Sequence, residues 1–258
     1  MLNACRADVV EDCLRKADPA ARALYSKFEA SFKEMETATG RDDSIFCPQT
    51  GRVTINLKDA FEGKKGEGDT WFHELGHNID HLCAKGSGCH SAEWRSGAFP
   101  KELRNEADTY IDATKAAMGD TVAQMVEAGD ADGLRDIGLL GFADWVTIKY
   151  RGGDLAEAVK KPTKATAKKL VAREISALTD REKHAVSDMF DGATRGTCKD
   201  GWGHARSYWI DGEDEALATE AFAEMFAADI ASPAALGKIK EYFPKSYALY
   251  REILRSLT

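Results

Sequence analysis

The chain has 258 residues, of which 43% are hydrophobic, and its formal net charge at pH 7 is −8. This length and apolar content allow a sizeable core, which excludes a largely disordered chain. The acidic balance argues against a nucleic-acid partner, because phosphate recognition needs a dominant basic face.

The sequence also argues against a membrane-spanning protein and against a disulfide-rich scaffold. No apolar stretch approaches the roughly 20 residues that a membrane span requires, and the N-terminus lacks the continuous hydrophobic run of a signal peptide. We therefore expect a soluble chain with no membrane partner. Six cysteines are too few for a disulfide scaffold at this length. Cys83 and Cys89 flank a short loop that an oxidising compartment could close, and the sequence leaves their redox state open.

The first predicted elements are helices and a hairpin. Residues 5–39 place apolar side chains at helical spacing, with a break at an Asp-Pro pair. Residues 45–57 contain the turn sequence PQTG, followed by alternating apolar side chains from Val53 to Leu57. This pattern predicts a β-hairpin.

The sequence DTWFHELGHNIDHL, residues 69–82, predicts a helix with one apolar face and one face of ionisable side chains. The second face contains HELGH, a His-Glu-x-x-His pattern. His73 and His77 lie one turn apart, so their imidazoles can converge on one ion, with Glu74 beside that ion as a general base. The alternative is a polar helix face that binds no ion.

A third histidine on this helix does not complete the site. Eight residues of helical rise place His81 about 12 Å from His73. We expect His81 and its neighbour Asp80 either to support a ligating side chain from outside the coordination sphere or to lie at the surface. The third ligand must therefore come from another part of the chain.

Residues 100–200 are predicted as helices separated by Gly- and Asp-rich loops. Pro100 opens a helix that continues to about residue 127, and shorter helical pieces follow. His184 lies among these pieces in a polar helical context, and we expect it to be exposed.

The C-terminal part begins with the loop GWGHARSYWIDGED and continues as an Ala-rich helix from about Glu213 to Ile230. Glu220 and Glu224 lie one turn apart on this helix. Two carboxylates at this spacing repel each other unless a cation or a histidine offsets them. We therefore expect Glu220 to be the third metal ligand and Glu224 to orient a ligating histidine. The alternative is an amphipathic helix with exposed acids.

The two segments WFHELGHNIDHL and ATEAFAEMFAAD together resemble the zincin metallopeptidases of the gluzincin type. The likeness is to lethal-factor-like peptidase domains and to the zincin-like domain of phage minor head (head morphogenesis) proteins. It covers residues 44–82 and 201–230. The resemblance implies that His73, His77 and Glu220 bind Zn²⁺.

The same resemblance implies that Glu74 is the catalytic base. It also implies that the loop WGHARSYW brings His204 or Tyr208 to the site to stabilise the oxyanion. By the same analogy, the strand from Val53 to Leu57 forms a sheet edge that pairs with an extended peptide substrate.

The expected architecture is a single α+β domain over residues 1–258, helix-dominated and zincin-like, with a small sheet. A large helical insertion between the two metal-binding helices would shape the cleft or bind a protein partner. The expected parts are N-terminal helices (1–40), the sheet edge and HExxH helix (44–82), the helical insertion (100–200), and the site loop, Glu-ligand helix and C-terminal helix (201–258).

The expected function is that of a zinc metalloendopeptidase that hydrolyses a protein or peptide substrate through a metal-activated water. One alternative is a non-catalytic zincin-like module of a phage head or another assembly. Another is a secreted toxin or effector protease. Glu74 favours an enzyme, because a structural zinc site needs no base. The sequence does not decide between a virion-associated and a secreted location.

Overall fold

The structure is a computed structural model that describes residues 4–34, 36–38, 43–47, 50–85, 88–198 and 202–258. Helices dominate these residues and a three-stranded sheet accompanies them, which confirms the α+β class. No helix in the described ranges is long and apolar enough to cross a membrane.

The N-terminal helices are α1 (Ala4–Lys16) and α2 (Pro19–Phe28). Asp18 caps α2, because its side chain accepts a hydrogen bond of 2.8 Å from the Ala20 N–H. Pro19 occupies the first turn, where a helix does not use the N–H that proline lacks. The predicted break at the Asp-Pro pair is therefore confirmed.

The sheet has three short strands, β1 (Glu36–Thr37), β2 (Ile45–Cys47) and β3 (Arg52–Ile55), in the order β1-β3-β2. β2 and β3 pair antiparallel, which confirms the predicted hairpin. Pro48 and Gln49 of its turn lie outside the described residues.

The expected sheet edge at Val53–Leu57 is wrong. β3 is the central strand, because β1 pairs with it in parallel on one side and β2 pairs with it on the other. β1 has only two residues, too few to show an alternating pattern in the sequence. Leu57 is not in the strand, since Asn56 accepts hydrogen bonds from two N–H groups of the helix α3 (Leu57–Glu62) and caps it.

Helix α4 (Asp69–Leu82) packs along helix α13 (Glu213–Ala231). Gly76 permits the close approach, because a Cβ atom at this position would stand 2.8 Å from the Cα atom of Ala223. Leu75 on α4 is fully buried in the main hydrophobic core of the molecule. The two helices that the sequence predicts as metal-binding are therefore neighbours.

The other helices complete the fold. They are α5 (His90–Glu93), α6 (Ala98–Glu127), α7 (Ala131–Asp136), α8 (Phe142–Arg151), α9 (Leu155–Ala158), α10 (Lys164–Ser176), α11 (Asp180–Ala193), α12 (Arg206–Asp211), α14 (Pro233–Tyr242) and α15 (Pro244–Leu257). α11 and α14 pack on α13, and α10 packs on α6.

Buried apolar side chains form two clusters. The main core surrounds α4 and α13 and includes the first part of α6 together with α10 and α11. A satellite core lies at the end of α6 and around α7: Met118, Val122, Met125, Ala131, Leu134, Ile137, Leu139 and Leu140. Residues 100–200 therefore divide between the two cores.

Cys13, Cys83 and Cys89 are free thiols. The loop between Cys83 and Cys89 is thus not closed by a disulfide in this structure. Burial raises the pKa of the Cys83 thiol to about 11, so this side chain is a thiol and not a thiolate at neutral pH.

Candidate metal centre

Three donor atoms converge where α4 meets α13. The Nε2 atoms of His73 and His77 lie 3.1 Å apart, and the Oε2 atom of Glu220 lies 3.5 Å from the first and 3.3 Å from the second. Ligands arranged tetrahedrally at about 2.0–2.1 Å from one ion stand about 3.3 Å apart. The three atoms therefore fit one coordination sphere.

An unsatisfied atom supports this interpretation. Glu220 Oε2 is buried, and apart from the two imidazole nitrogens at 3.3 and 3.5 Å, whose contacts lack hydrogen-bond geometry, no described residue offers it a partner. A buried carboxylate oxygen without a partner is costly unless an ion or a proton donor offsets its charge. The structure thus brings together the three residues predicted as ligands, in a buried group that could hold a metal ion.

Two side chains hold the imidazoles from behind. Glu224 Oε1 lies 3.2 Å from His73 Nδ1, the arrangement expected of a carboxylate that orients a ligating histidine. Thr219 Oγ1 lies 3.0 Å from His77 Nδ1. Both rings therefore keep Nε2 for an ion.

Another histidine, His184, contacts Glu224 and holds its carboxylate in place. His184 Nδ1 lies 3.2 Å from Glu224 Oε1, and His184 Nε2 lies 3.0 Å from Asp69 Oδ1. The expectation that His184 is exposed is wrong, since only 2% of it is accessible. The packing of α11 on α13 carries this side chain into the interior, which its polar sequence context does not indicate.

Facing charges control the pKa values of this cluster. Burial alone would lower the pKa of His73 and of His184, but the carboxylates that face them together outweigh it: Glu224 and Glu220 at His73, and Glu224 and Asp69 at His184. The pKa of His73 lies well above its usual value, and that of His184 is raised to about 9. Burial would likewise raise the pKa of Glu220 and Glu224, but the histidines that face them hold both well below the usual range.

Glu74 lies in a cleft of about 550 Å³ together with the three predicted ligands. Burial raises the pKa of its carboxyl group, so Glu74 takes up a proton more readily than an exposed carboxylate does. β2 forms another wall of the cleft, where Phe46 stacks on His77 with ring centroids 5.8 Å apart.

The segment before α13 brings His204 and Tyr208 to the same carboxylate. The Tyr208 hydroxyl donates a hydrogen bond of 2.6 Å to Glu220 Oε1, and His204 Nε2 lies 3.1 Å from that oxygen. Their rings stack with centroids 4.1 Å apart. Both side chains line the cleft, where the resemblance placed them.

Asp80 lies apart from this cluster. Its carboxylate accepts hydrogen bonds of 2.7 and 2.6 Å from the N–H and the hydroxyl of Ser91, and so fastens α5 to α4. It is fully buried, and burial raises the pKa of its carboxyl group to about 6. These contacts match neither of the expected places, beside a ligand or at the surface.

The buried donor groups also contain three residues that were not predicted as site residues: Asp69, Asp188 and His184. Asp188 is buried and forms a second group of donors with His204 and Glu220. His184 and Asp188 lie one turn apart on α11, the same spacing that singled out His73 and His77. That spacing is the sequence signal by which His184 and Asp188 could have been recognised as site residues.

The cluster thus joins residues of α4, α11 and α13 with the segment that leads through α12. It combines a buried donor set, an adjacent carboxyl group with a raised pKa, and an open cleft. Comparisons with known protein families, with curated proteins and with solved structures found no match for this chain.

Proposed function

We propose that the chain is a zinc-dependent endopeptidase of the zincin type. The observation that carries this proposal is the meeting of His73, His77 and Glu220 in one cleft, with Glu74 lining the same cleft. Two imidazoles, one carboxylate and a neighbouring base are the groups that metal-dependent hydrolysis of a peptide bond requires.

The surroundings of the site support a zincin-like fold and zinc as the ion. A hairpin contacts the helix that carries HELGH, and α13 supplies a carboxylate from far along the chain. Two nitrogens and one oxygen form a donor set that zinc favours, with a fourth position left for water or substrate.

The residues of the chain have separate tasks in this mechanism. Zinc held by the three ligands would polarise the substrate carbonyl and lower the pKa of a water molecule. Glu74 accepts the proton of that water and later delivers it to the departing amine nitrogen. The raised pKa of the Glu74 carboxyl group suits both steps, because the group must gain and release a proton.

The cleft offers two further functions. Tyr208 or His204 donates a hydrogen bond to the carbonyl oxygen as negative charge develops on it. β2 is an edge strand of the sheet and lines the cleft through Ile45 and Phe46. An extended peptide would therefore pair with β2, and not with β3 as the resemblance implied.

The test compares two Glu→Gln variants in the same cleft. Glu74→Gln should lower the hydrolysis of an unfolded protein substrate by about 10²–10⁴-fold, the usual contribution of a general base. Its zinc content and thermal unfolding should match the wild type. Glu215 lines the same cleft and is exposed, so Glu215→Gln is the matched control and should stay active.

Elemental analysis of protein purified without added metal completes the test. We expect zinc in the wild type and its loss in Glu220→Ala. A folded wild type that takes up no zinc, or a Glu74→Gln variant as active as the wild type, would refute the proposal.

A structural role in a phage head or another assembly is the second candidate. It is favoured by aromatic side chains on α8 that face solvent, since Phe142 is 70% and Tyr150 is 75% exposed. Large exposed aromatic groups are enriched where proteins associate. Under this candidate Glu74→Gln would change no property of the assembly, which separates it from a peptidase.

A further inference from the structure

A second set of donors lies beside Glu220. Asp188 is only 7% exposed, and its Oδ1 atom has no hydrogen-bond partner among the residues that the structure describes. The donor atoms of Asp188, His204 and Glu220 all lie within 4.8 Å of one another. The proposed peptidase mechanism gives Asp188 no task.

The two oxygens of Glu220 face different partners. Oε2 faces His73 and His77, whereas Oε1 lies 3.1 Å from His204 Nε2 and accepts the Tyr208 hydrogen bond. A carboxylate oxygen has two lone pairs, so Oε1 keeps one of them for another partner. The carboxylate is therefore placed to bridge two ions.

The backbone of the loop that carries His204 packs closely against the Asp188 carboxylate. Gly203 has a φ of +85°, and a Cβ atom at this position would stand 2.2 Å from Asp188 Oδ1. Only glycine lets the backbone lie this close to the carboxylate. The His204 side chain is 40% exposed, which gives an ion a route from solvent and leaves space for water ligands.

We propose that Asp188, His204 and Glu220 form a second divalent-cation site, which shares the Glu220 carboxylate with the zinc site. The ion belongs to the class that accepts both imidazole and carboxylate ligands, such as Zn²⁺ or Mn²⁺. Paired ions in hydrolytic enzymes lie about 3.5–4 Å apart. This inference rests on the proposed function through the shared ligand, and it adds an ion that hydrolysis at a single zinc does not require.

The remaining buried group, Asp69, His184 and Glu224, is not a site of this kind. His184 bridges two carboxylates here, and none of the three residues is more than 2% exposed, so solvent does not reach this group as it reaches His204. At the proposed second site, the competing occupant is a proton on His204, which would also offset the charges of Glu220 and Asp188.

Counting bound ions distinguishes a cation from a proton. The full-length protein is stripped with a chelator, titrated with Zn²⁺ in a calorimeter, desalted and analysed for zinc. The variants are Asp188→Asn, His204→Gln and the control Asp191→Asn. Asp191 lies on the same helix and is also buried, but its Oδ2 atom accepts a hydrogen bond of 2.8 Å from the indole N–H of Trp209.

We expect about two zinc ions in the wild type and in Asp191→Asn, and about one in Asp188→Asn and His204→Gln. His204 is partly exposed, so its variant keeps the fold even if Asp188→Asn does not. One ion in the wild type, unchanged in His204→Gln and absent in Glu220→Ala, would overturn the second site and leave the proposed function intact. No zinc in the folded wild type would overturn both.

Discussion

Two helical regions of this chain differ in the kinds of side chain that they bury. The satellite core around α7 is built from Met, Val, Ala, Leu and Ile side chains. The interface of α4 and α13 buries apolar groups as well, but it also encloses His73, Glu74, His77, Glu220 and Glu224.

This difference indicates that the satellite core serves stability and that the α4–α13 interface also serves metal binding. A buried ion pair usually adds no more stability than apolar side chains of the same volume, and removing one partner is strongly destabilising. Clusters of buried groups with shifted pKa values are therefore concentrated at functional sites. We expect substitutions in the satellite core to change stability alone, and substitutions at the α4–α13 interface to change stability and metal binding together.

The largest effect is expected from His184→Ala. Glu224 and Asp69 would lose the imidazole that bridges them, which lowers the free energy of unfolding by about 3–5 kcal/mol. Glu224 would also hold His73 less firmly, so zinc affinity should fall about 10–100-fold. Denaturant unfolding and zinc titration measure the two effects. His90→Ala is the control, and equal stability of the two variants would contradict the bridging role.

The next effect is expected from Leu134→Ala in the satellite core. Leu134 is fully buried, so its truncation should lower the free energy of unfolding by about 2–5 kcal/mol. Zinc affinity of the folded protein should not change. Leu82→Ala is the matched control, because Leu82 is 47% exposed. A weaker zinc affinity in Leu134→Ala would show that the two regions are coupled.

A smaller effect is expected from Gly76→Ala. The new methyl group would meet α13 and force the two helices apart, which costs about 1–3 kcal/mol and lowers zinc affinity. Gly119→Ala on α6 is the control with the opposite sign. Apart from its chain neighbours and the backbone of its own helix, no described atom lies within 4 Å of the added group, so this variant should gain about 0.5–1 kcal/mol. Thermal unfolding of both variants measures the contrast.

The smallest effect is expected from Phe142→Ala. This exposed side chain should change the free energy of unfolding by no more than about 0.5 kcal/mol. Zinc content should also match the wild type. A larger loss of stability would mean that another molecule covers α8 in solution, and sedimentation of the two proteins would then differ.

The centre of the candidate site was predictable because its geometry is local. The one-turn spacings of His73 with His77 and of Glu220 with Glu224 are properties of a single helix, and the structure places these pairs face to face. The close contact of α4 with α13, which brings the two pairs together, is possible because small residues such as Gly76 and Ala223 lie between the helices.

The rest depended on tertiary packing. His184 shows no apolar context that would predict burial, and only the position of α11 against α13 encloses it. β3 becomes a central strand through a partner of two residues, which is too short to be recognised from alternation. The position of Asp80 was also mistaken, because its partner Ser91 lies beyond the helix that carries it.

Residues 100–200 do not all serve the same part of the molecule. The chain leaves the main core at the end of α6 and returns with α10, which packs back on α6. Residues 131–158 therefore bury the satellite core against the end of α6 and contribute no side chain to the metal-binding cluster. The same is not true of α11, since it carries His184 and Asp188. The boundary between residues that only stabilise the fold and residues that belong to the cluster thus lies within the stretch that the sequence predicts as one helical insertion.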